Sequence, residues 1–344
     1  MVSRVSATGT LSQNLFLINS GQSKLNKLNY SLGTGNKFEE LKFYGKDSTR
    51  IVDLRKDIEA RNAYTNSIDI TESTTDSYDT ILERLVEVAT DALNAAEPLS
   101  TNDVDFPNTT TVLANNFMLE VEANLNIKLG DRFIFAGTNF SDAPVRDLRT
   151  LSLYNNTDLG SAPAAANVIE TADTLPEHVI DAGGAATTES YHTGFTAAGT
   201  VDSNAYEQMK VTIADAQSIS YNITANEPAF QNLIEGLLRL KSAAQDGLTE
   251  PEREEFLGEA RNTLDNARIE LRQLQARNGT VINELSRTKE VHTNFINIAQ
   301  SALTDLTVAN DAEVATRISA LRTQLEASYS TIARTSQLSL VNYL

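Results

Sequence analysis

Between Ala260 and Leu306 the chain sets Leu264, Ala267, Leu271, Leu274, Asn278, Val281, Leu285, Thr288, His292, Phe295, Ala299 and Ala302 at alternating steps of four and three. Such steps place side chains on one stripe of an α-helix, and a stripe sustained over this many turns is a coiled-coil seam. No proline follows Pro251, and only Gly258 and Gly279 interrupt the run. The phase breaks around Val308 to Ala312. It resumes one place out of step at Val314, Ile318, Leu321, Leu325, Ser328, Ile332 and Thr335, and the last residues, Leu338, Leu340, Val341, Tyr343 and Leu344, are apolar. A helix this long with a single apolar face requires a partner helix.

Proline placement says where that partner can be. All seven prolines fall between residues 98 and 251, and a proline inside a helix costs about 3 kcal/mol or more. Two helical arms therefore flank a different middle. The first arm has its own seam, Leu11, Leu15, Ile18, Gln22, Leu25, Asn29 and Leu32, stopped by Gly33-Thr34-Gly35. After a break at Gly45, Ile51, Leu54 and Ile58 open a longer helix. Its seam turns polar at Arg61, Thr65, Glu72 and Thr75, then returns out of phase at Tyr78, Leu82, Leu85, Ala89, Ala92 and Ala96, ending before Pro98. The polar seats read either as a solvent-exposed side or as a face for another subunit.

A loop over 99–108 leads to a third helix with Ala114, Met118, Val121 and Leu125 on one face, for which Gly130 reads as the C-terminal cap. Arg132 to Ala136 reads as a short strand closed by Gly137. From about Asp142 to Ala225, prolines, glycines and short alternating segments predict a β-rich insertion, with Met209–Ala214 and Ser218–Thr224 as a hairpin. Helix returns at Pro228 with Phe230, Leu233, Ile234, Leu237, Leu238 and Leu240, and Asp246-Gly247 separates it from the C-terminal rod.

The predicted fold is mainly α, a long antiparallel helical coiled coil or bundle formed by paired N- and C-terminal arms, with a small β-rich insertion domain in the middle. The expected division is a terminal helical pair (1–43 with 310–344), a long helical bundle with a short strand (44–141 with 229–309), and an exposed insertion (142–228). The assembly seam would comprise Leu11, Leu15, Ile18, Leu25, Leu32, Ile318, Leu321, Leu325, Ile332, Leu338 and Leu340.

The formal charge is −18, and it is unevenly spread. Residues 1–50 carry seven basic against three acidic side chains and residues 314–344 three arginines against Glu326, leaving −24 in the middle. An acidic middle argues against nucleic acid as a principal partner. With no cysteine, disulfides, thiol nucleophiles and cysteine metal sites are excluded. No run of apolar residues is long enough to span a membrane. The opening Met1-Val2-Ser3-Arg4-Val5-Ser6 lacks the apolar block of a cleaved signal, so the expectation is a cytoplasmic protein or one exported by another route.

Catalytic constellations are missing from the sequence: there is no phosphate-binding Gly-rich loop, no Gly-x-Ser-x-Gly elbow and no His-Glu-x-x-His helix. His292 occupies a seam seat and reads as a packed or interface histidine. His178 and His192, near Glu177, Asp181 and Glu189, have no specific metal spacing and read as surface residues. No catalytic, cofactor or metal residue is expected.

Three segments in the same order resemble the bacterial flagellin superfamily, most closely its hook–filament junction (hook-associated) branch. They are Gly130-Asp131-Arg132-Phe133-Ile134-Phe135-Ala136-Gly137-Thr138, the re-entry Ile223-Thr224-Ala225-Asn226-Glu227-Pro228-Ala229-Phe230, and Leu325-Glu326-Ala327-Ser328-Tyr329 with the tail Ser336 to Leu344. The resemblance covers both arms and the helical body, and reaches the insertion only at its exit. It implies an axial structural protein joining hook to filament, not an enzyme. Its partners would be itself, the hook-associated ring protein, flagellin and an export chaperone, with no cofactor, nucleic acid or membrane span. The protein would be extracellular, exported without a cleaved signal. Two further readings stand beside it: a flagellin-type filament subunit, and a surface binder or adhesin acting through the insertion.

Overall fold

The computed structural model describes residues 2–151, two short strands at 179–180 and 188–189, and residues 207–341, with side chains described over 12–151 and 207–334. His178 and His192, and most of the expected insertion, lie outside the described residues. The helices are α1 (Val2–Thr34), α2 (Asp47–Ala96), α3 (Phe106–Leu125), α4 (Pro228–Ala243), α5 (Glu250–Thr307) and α6 (Asp311–Val341). Between α3 and α4 come the antiparallel strand pairs β1–β2 (Lys128–Leu129, Arg132–Phe133), β3–β4 (Val179–Ile180, Thr188–Glu189) and β5–β6 (Lys210–Ala214, Gln217–Ser220). This is the mainly α architecture with small β elements that the repeat and the proline distribution predict.

The chain divides into two compact units, Met1–Ala63 with His292–Leu344, and Tyr64–Val291. The second is a helical core around α4. That helix is buried on nearly every side, with Phe230, Leu233, Ile234, Leu237 and Leu238 in one apolar cluster with Tyr78, Leu82 and Leu85 of α2, Met118, Val121 and Leu125 of α3, and Leu264 and Leu271 of α5. Phe135 joins the layers: its ring lies 5.2 Å from Tyr78 and 5.5 Å, edge-on, from Phe230, and its carbonyl accepts from the Ala225 amide at 2.9 Å. Gly236 permits this packing, since a Cβ there would come within 2.8 Å of Leu264 Cγ and 3.1 Å of the Leu264 backbone nitrogen.

Val145, Leu148 and Leu151, inside the range expected for the insertion, are buried in the same cluster. Asn126 clasps Val145 through both its backbone groups, at 2.7 and 3.0 Å, and the Lys241 ammonium donates to the carbonyls of Arg149 and Leu151. Burial pushes the Lys241 ammonium below its ordinary range, and the charge of Asp147 partly offsets this. The helical core therefore holds the chain as far as Leu151.

Three local expectations change. Gly130 is not the cap of α3, whose C-terminal flank is Asn126. With φ of +63°, Gly130 is the first residue of the two-residue turn joining β1 to β2, a position that suits glycine. The strand expected over Arg132–Ala136 pairs only at Arg132 and Phe133, because its partner β1 is two residues long and Phe135 turns into the core. Helix α3 starts at Phe106, with Pro107 in its first turn, inside the loop expected over 99–108.

The polar seats of α2 are a larger correction, since both readings had them facing away from the subunit's own core. Thr75 is fully buried, and its carbonyl accepts from the Asn278 amide of α5 at 2.9 Å. Glu72 and Asp69 each bind Lys289 of α5 at 2.7 Å. Arg61 donates to Nδ1 of the buried His292 at 3.0 Å and lies 3.8 Å from the centre of the Phe295 ring. Polar residues of α2 meet polar residues of α5 within one chain.

A candidate assembly surface on the terminal helices

Within the first unit, α1 and α6 pack antiparallel. Asn36 bridges Val308 near the start of α6, Leu25 and Leu28 pack against Val314 and Ile318, Gly21 meets Leu325, and Gln22 donates to the Tyr329 hydroxyl at 2.6 Å. α1 ends where the sequence places its stop, with Gly35 at φ +71° and its amide bonded to Ser31. The turn into α6 is tied to it: the Lys37 amide donates to Thr307 and the Ala309 amide to the Gly35 carbonyl, both at 2.7 Å.

On α6 the expected stripe holds at every described position. Val314, Ile318 and Leu325 are buried, while Leu321, Ser328 and Ile332 are half-buried. On α1 the buried face is Ile18, Gly21, Leu25, Leu28 and Ser31, whereas Leu15 and Leu32 are exposed. Ile18 and Leu25 thus sit on the intrachain contact and Leu15 and Leu32 point elsewhere. Leu11, Leu338 and Leu340 belong to α1 and α6 but fall outside the described side chains.

Sequence reasoning missed Gly21 and the pair Phe16 and Leu17. A Cβ on Gly21 would stand 2.7 Å from Leu325 Cδ2, so the absent side chain is what lets the helices approach. The signal was present as glycine one position from the seat assigned to Gln22. Leu15, Phe16 and Leu17 are 49%, 71% and 57% exposed, while the adjoining Ile18 is buried against α6. That turn of α1 is apolar all round, and such a helix is ordinarily buried on all sides. Each large apolar side chain covered contributes roughly 1.5–3 kcal/mol, so this turn is a strong candidate for contact with another polypeptide. Among the described residues no cluster of three potential metal ligands occurs, and no helix is long and apolar enough to cross a membrane.

No family model and no curated protein matches the sequence. Solved structures do. A protein described as a flagellar hook-associated protein of Vibrio parahaemolyticus superposes with a TM-score of 0.50 at 13% identity, over 76% of this chain and 97% of that one. FlgL of Bacillus cereus gives 0.37 at 16% identity (75% and 98% covered), and flagellar hook-associated protein 3 of Legionella pneumophila gives 0.34 at 15% (78% and 99%). At 13% identity, the likeness to the Vibrio protein establishes a shared fold.

Proposed function

We propose that this chain is a structural subunit of the bacterial flagellum that joins hook to filament as an axial adaptor. The observation that carries this reading is the antiparallel α1–α6 pair with its uncovered apolar turn at Leu15, Phe16 and Leu17. A fold shared with a hook-associated protein supports it, as do the three sequence segments described above. The terminal helices, with the seam from Leu11 to Leu32 and from Ile318 to Leu340, form the inner assembly domain. The long-helix body includes the chain as far as Leu151, and the insertion that follows is the surface domain of this reading. The subunit meets its own copies, the hook-associated ring protein and flagellin, reaches the cell exterior by flagellar export with a chaperone, and performs no catalysis. Gold-labelled antibody against the chain, viewed by electron microscopy, should mark the hook–filament boundary only. Label along the whole filament would make it a filament subunit, and label absent from flagella would refute the reading.

A further inference from the structure

Helices α1 and α6 and the loop after α1 enclose an open groove of about 790 Å³. Its apolar lining includes Leu28, Phe38, Val308, Val314 and Leu321. Its charged lining is one-sided: Lys24, Lys27, Lys37 and Arg317 against Glu313 alone, and Glu313 is already paired with Arg317 at 2.5 Å. Two of the lysines are held in place. Lys37 donates to the Asp305 carbonyl at 2.6 Å, and Lys27 lies 4.8 Å from the centre of the Phe43 ring. The adjoining loop exposes Phe38, Leu41 and Phe43. An apolar channel edged by ordered cations suits an amphipathic surface with acidic flanks.

The same molecule carries such a surface. The unit containing the groove has 13 basic and 10 acidic residues, whereas Tyr64–Val291 has 15 basic and 36 acidic, a net of +3 against −21. On α2, Glu83, Glu87 and Asp91 are exposed on successive turns, with Glu87 also paired to Arg84 at 2.8 Å. On α3, bound to α2 through the Arg84–Glu120 pair, Val112 and Leu119 are exposed two turns apart. Glu83 and Glu87 lie one turn apart, as do Lys24 and Lys27. An anionic membrane is a poor alternative occupant for a chain of net charge −18.

We propose that this groove receives the acidic helical unit of a second copy of the chain, with Glu83, Glu87 and Asp91 against the lysines and Val112 and Leu119 on the apolar lining. The contact joins two different patches and so repeats from copy to copy. It rests on reading the chain as a self-assembling subunit. Its test uses purified full-length protein, so it can fail while the labelling at the hook–filament boundary succeeds, and the reverse.

Sedimentation velocity should show concentration-dependent self-association that weakens markedly between about 50 mM and 500 mM salt, because the screening length falls from roughly 14 Å to roughly 4 Å over that range. Lys24→Glu with Lys27→Glu and Lys37→Glu should weaken it at least about tenfold, and so should Glu83→Lys with Glu87→Lys and Asp91→Lys. Mixing the two triple variants should restore heterodimers, which also shows that both are folded. A wild-type chain that stays monomeric at low salt, a lysine triple variant that associates normally, or a mixture that fails to recover would each overturn the proposal.

Discussion

Asn278 sits in the longest apolar seam of the protein, between Leu274 and Leu285, and is 2% exposed. Its amide nitrogen donates to the Thr75 carbonyl at 2.9 Å, but its Oδ1 is buried with no partner among the described residues. Asn278→Leu keeps the branching and the heavy-atom count. The hydrogen bond lost is worth about 1 kcal/mol net, and the unsatisfied oxygen removed had cost about 1–3 kcal/mol. The Thr75 carbonyl lies mid-helix in α2, so the substitution leaves no orphan there. Burying the new apolar surface contributes about 1.5–3 kcal/mol, and packing strain offsets about 1–3 kcal/mol of it. The balance is a stabilisation of about 1 kcal/mol, which raises the melting temperature of a unit this size by about 2–4 °C. Differential scanning calorimetry of the full chain reads it directly, with Asn278→Ala as a control that should destabilise by leaving a cavity. The gain should come with weaker register control, as when a buried polar seat is removed from a coiled coil. A lower melting temperature for Asn278→Leu would refute the argument and show that Oδ1 has a partner.

Other outcomes follow from the same structure. Gly21→Ala should increase hydrogen exchange in α1 and α6 while leaving Tyr64–Val291 protected, because its Cβ would displace Leu325; uniform protection would show that the close approach is dispensable. Arg239 and Glu235 are both buried and paired at 2.6 Å, so Arg239→Ala should cost about 3–5 kcal/mol in denaturant unfolding, whereas the double leucine replacement should be far milder. Tyr78 donates to the Ile134 carbonyl at 2.6 Å, and its burial raises the phenol above its ordinary 10.0. The unfolded chain therefore ionises first, so this contribution is intact below pH about 10 and is lost as pH rises further; Tyr78→Phe should flatten the alkaline slope in a pH series of melts. Replacing 152–206 by a short Gly/Ser bridge should leave the melt of the helical core unchanged, while extending the excision to Val145 should cost at least about 3 kcal/mol, since Val145, Leu148 and Leu151 leave the core.

Length of repeat made α5 and α6 legible. Every described seam position from Ala260 to Ile332 is buried or half-buried, because a stripe repeated over many turns fixes the helical phase regardless of what covers it. The proline distribution gave the order of arms and middle, and the hairpin β5–β6 pairs Val211 with Ile219 as its alternation predicts. The partner of each polar position was not legible. A threonine or arginine on a seam looks the same whether it faces water, another subunit or Asn278 and His292 on a helix more than two hundred residues away, since hydrogen bonds satisfied across a fold leave no local periodicity. The part of α1 that meets Leu325 was not legible for a related reason. Pattern reading scores side chains, and the contact with Leu325 is made by Gly21, which has none. Sequence alone settled the order of the helices and the course of the apolar stripes on α5 and α6. Only the tertiary structure decided which side of α1 meets α6 and which apolar residues remain uncovered, because close approach depends on the space between two backbones and not on either stripe alone.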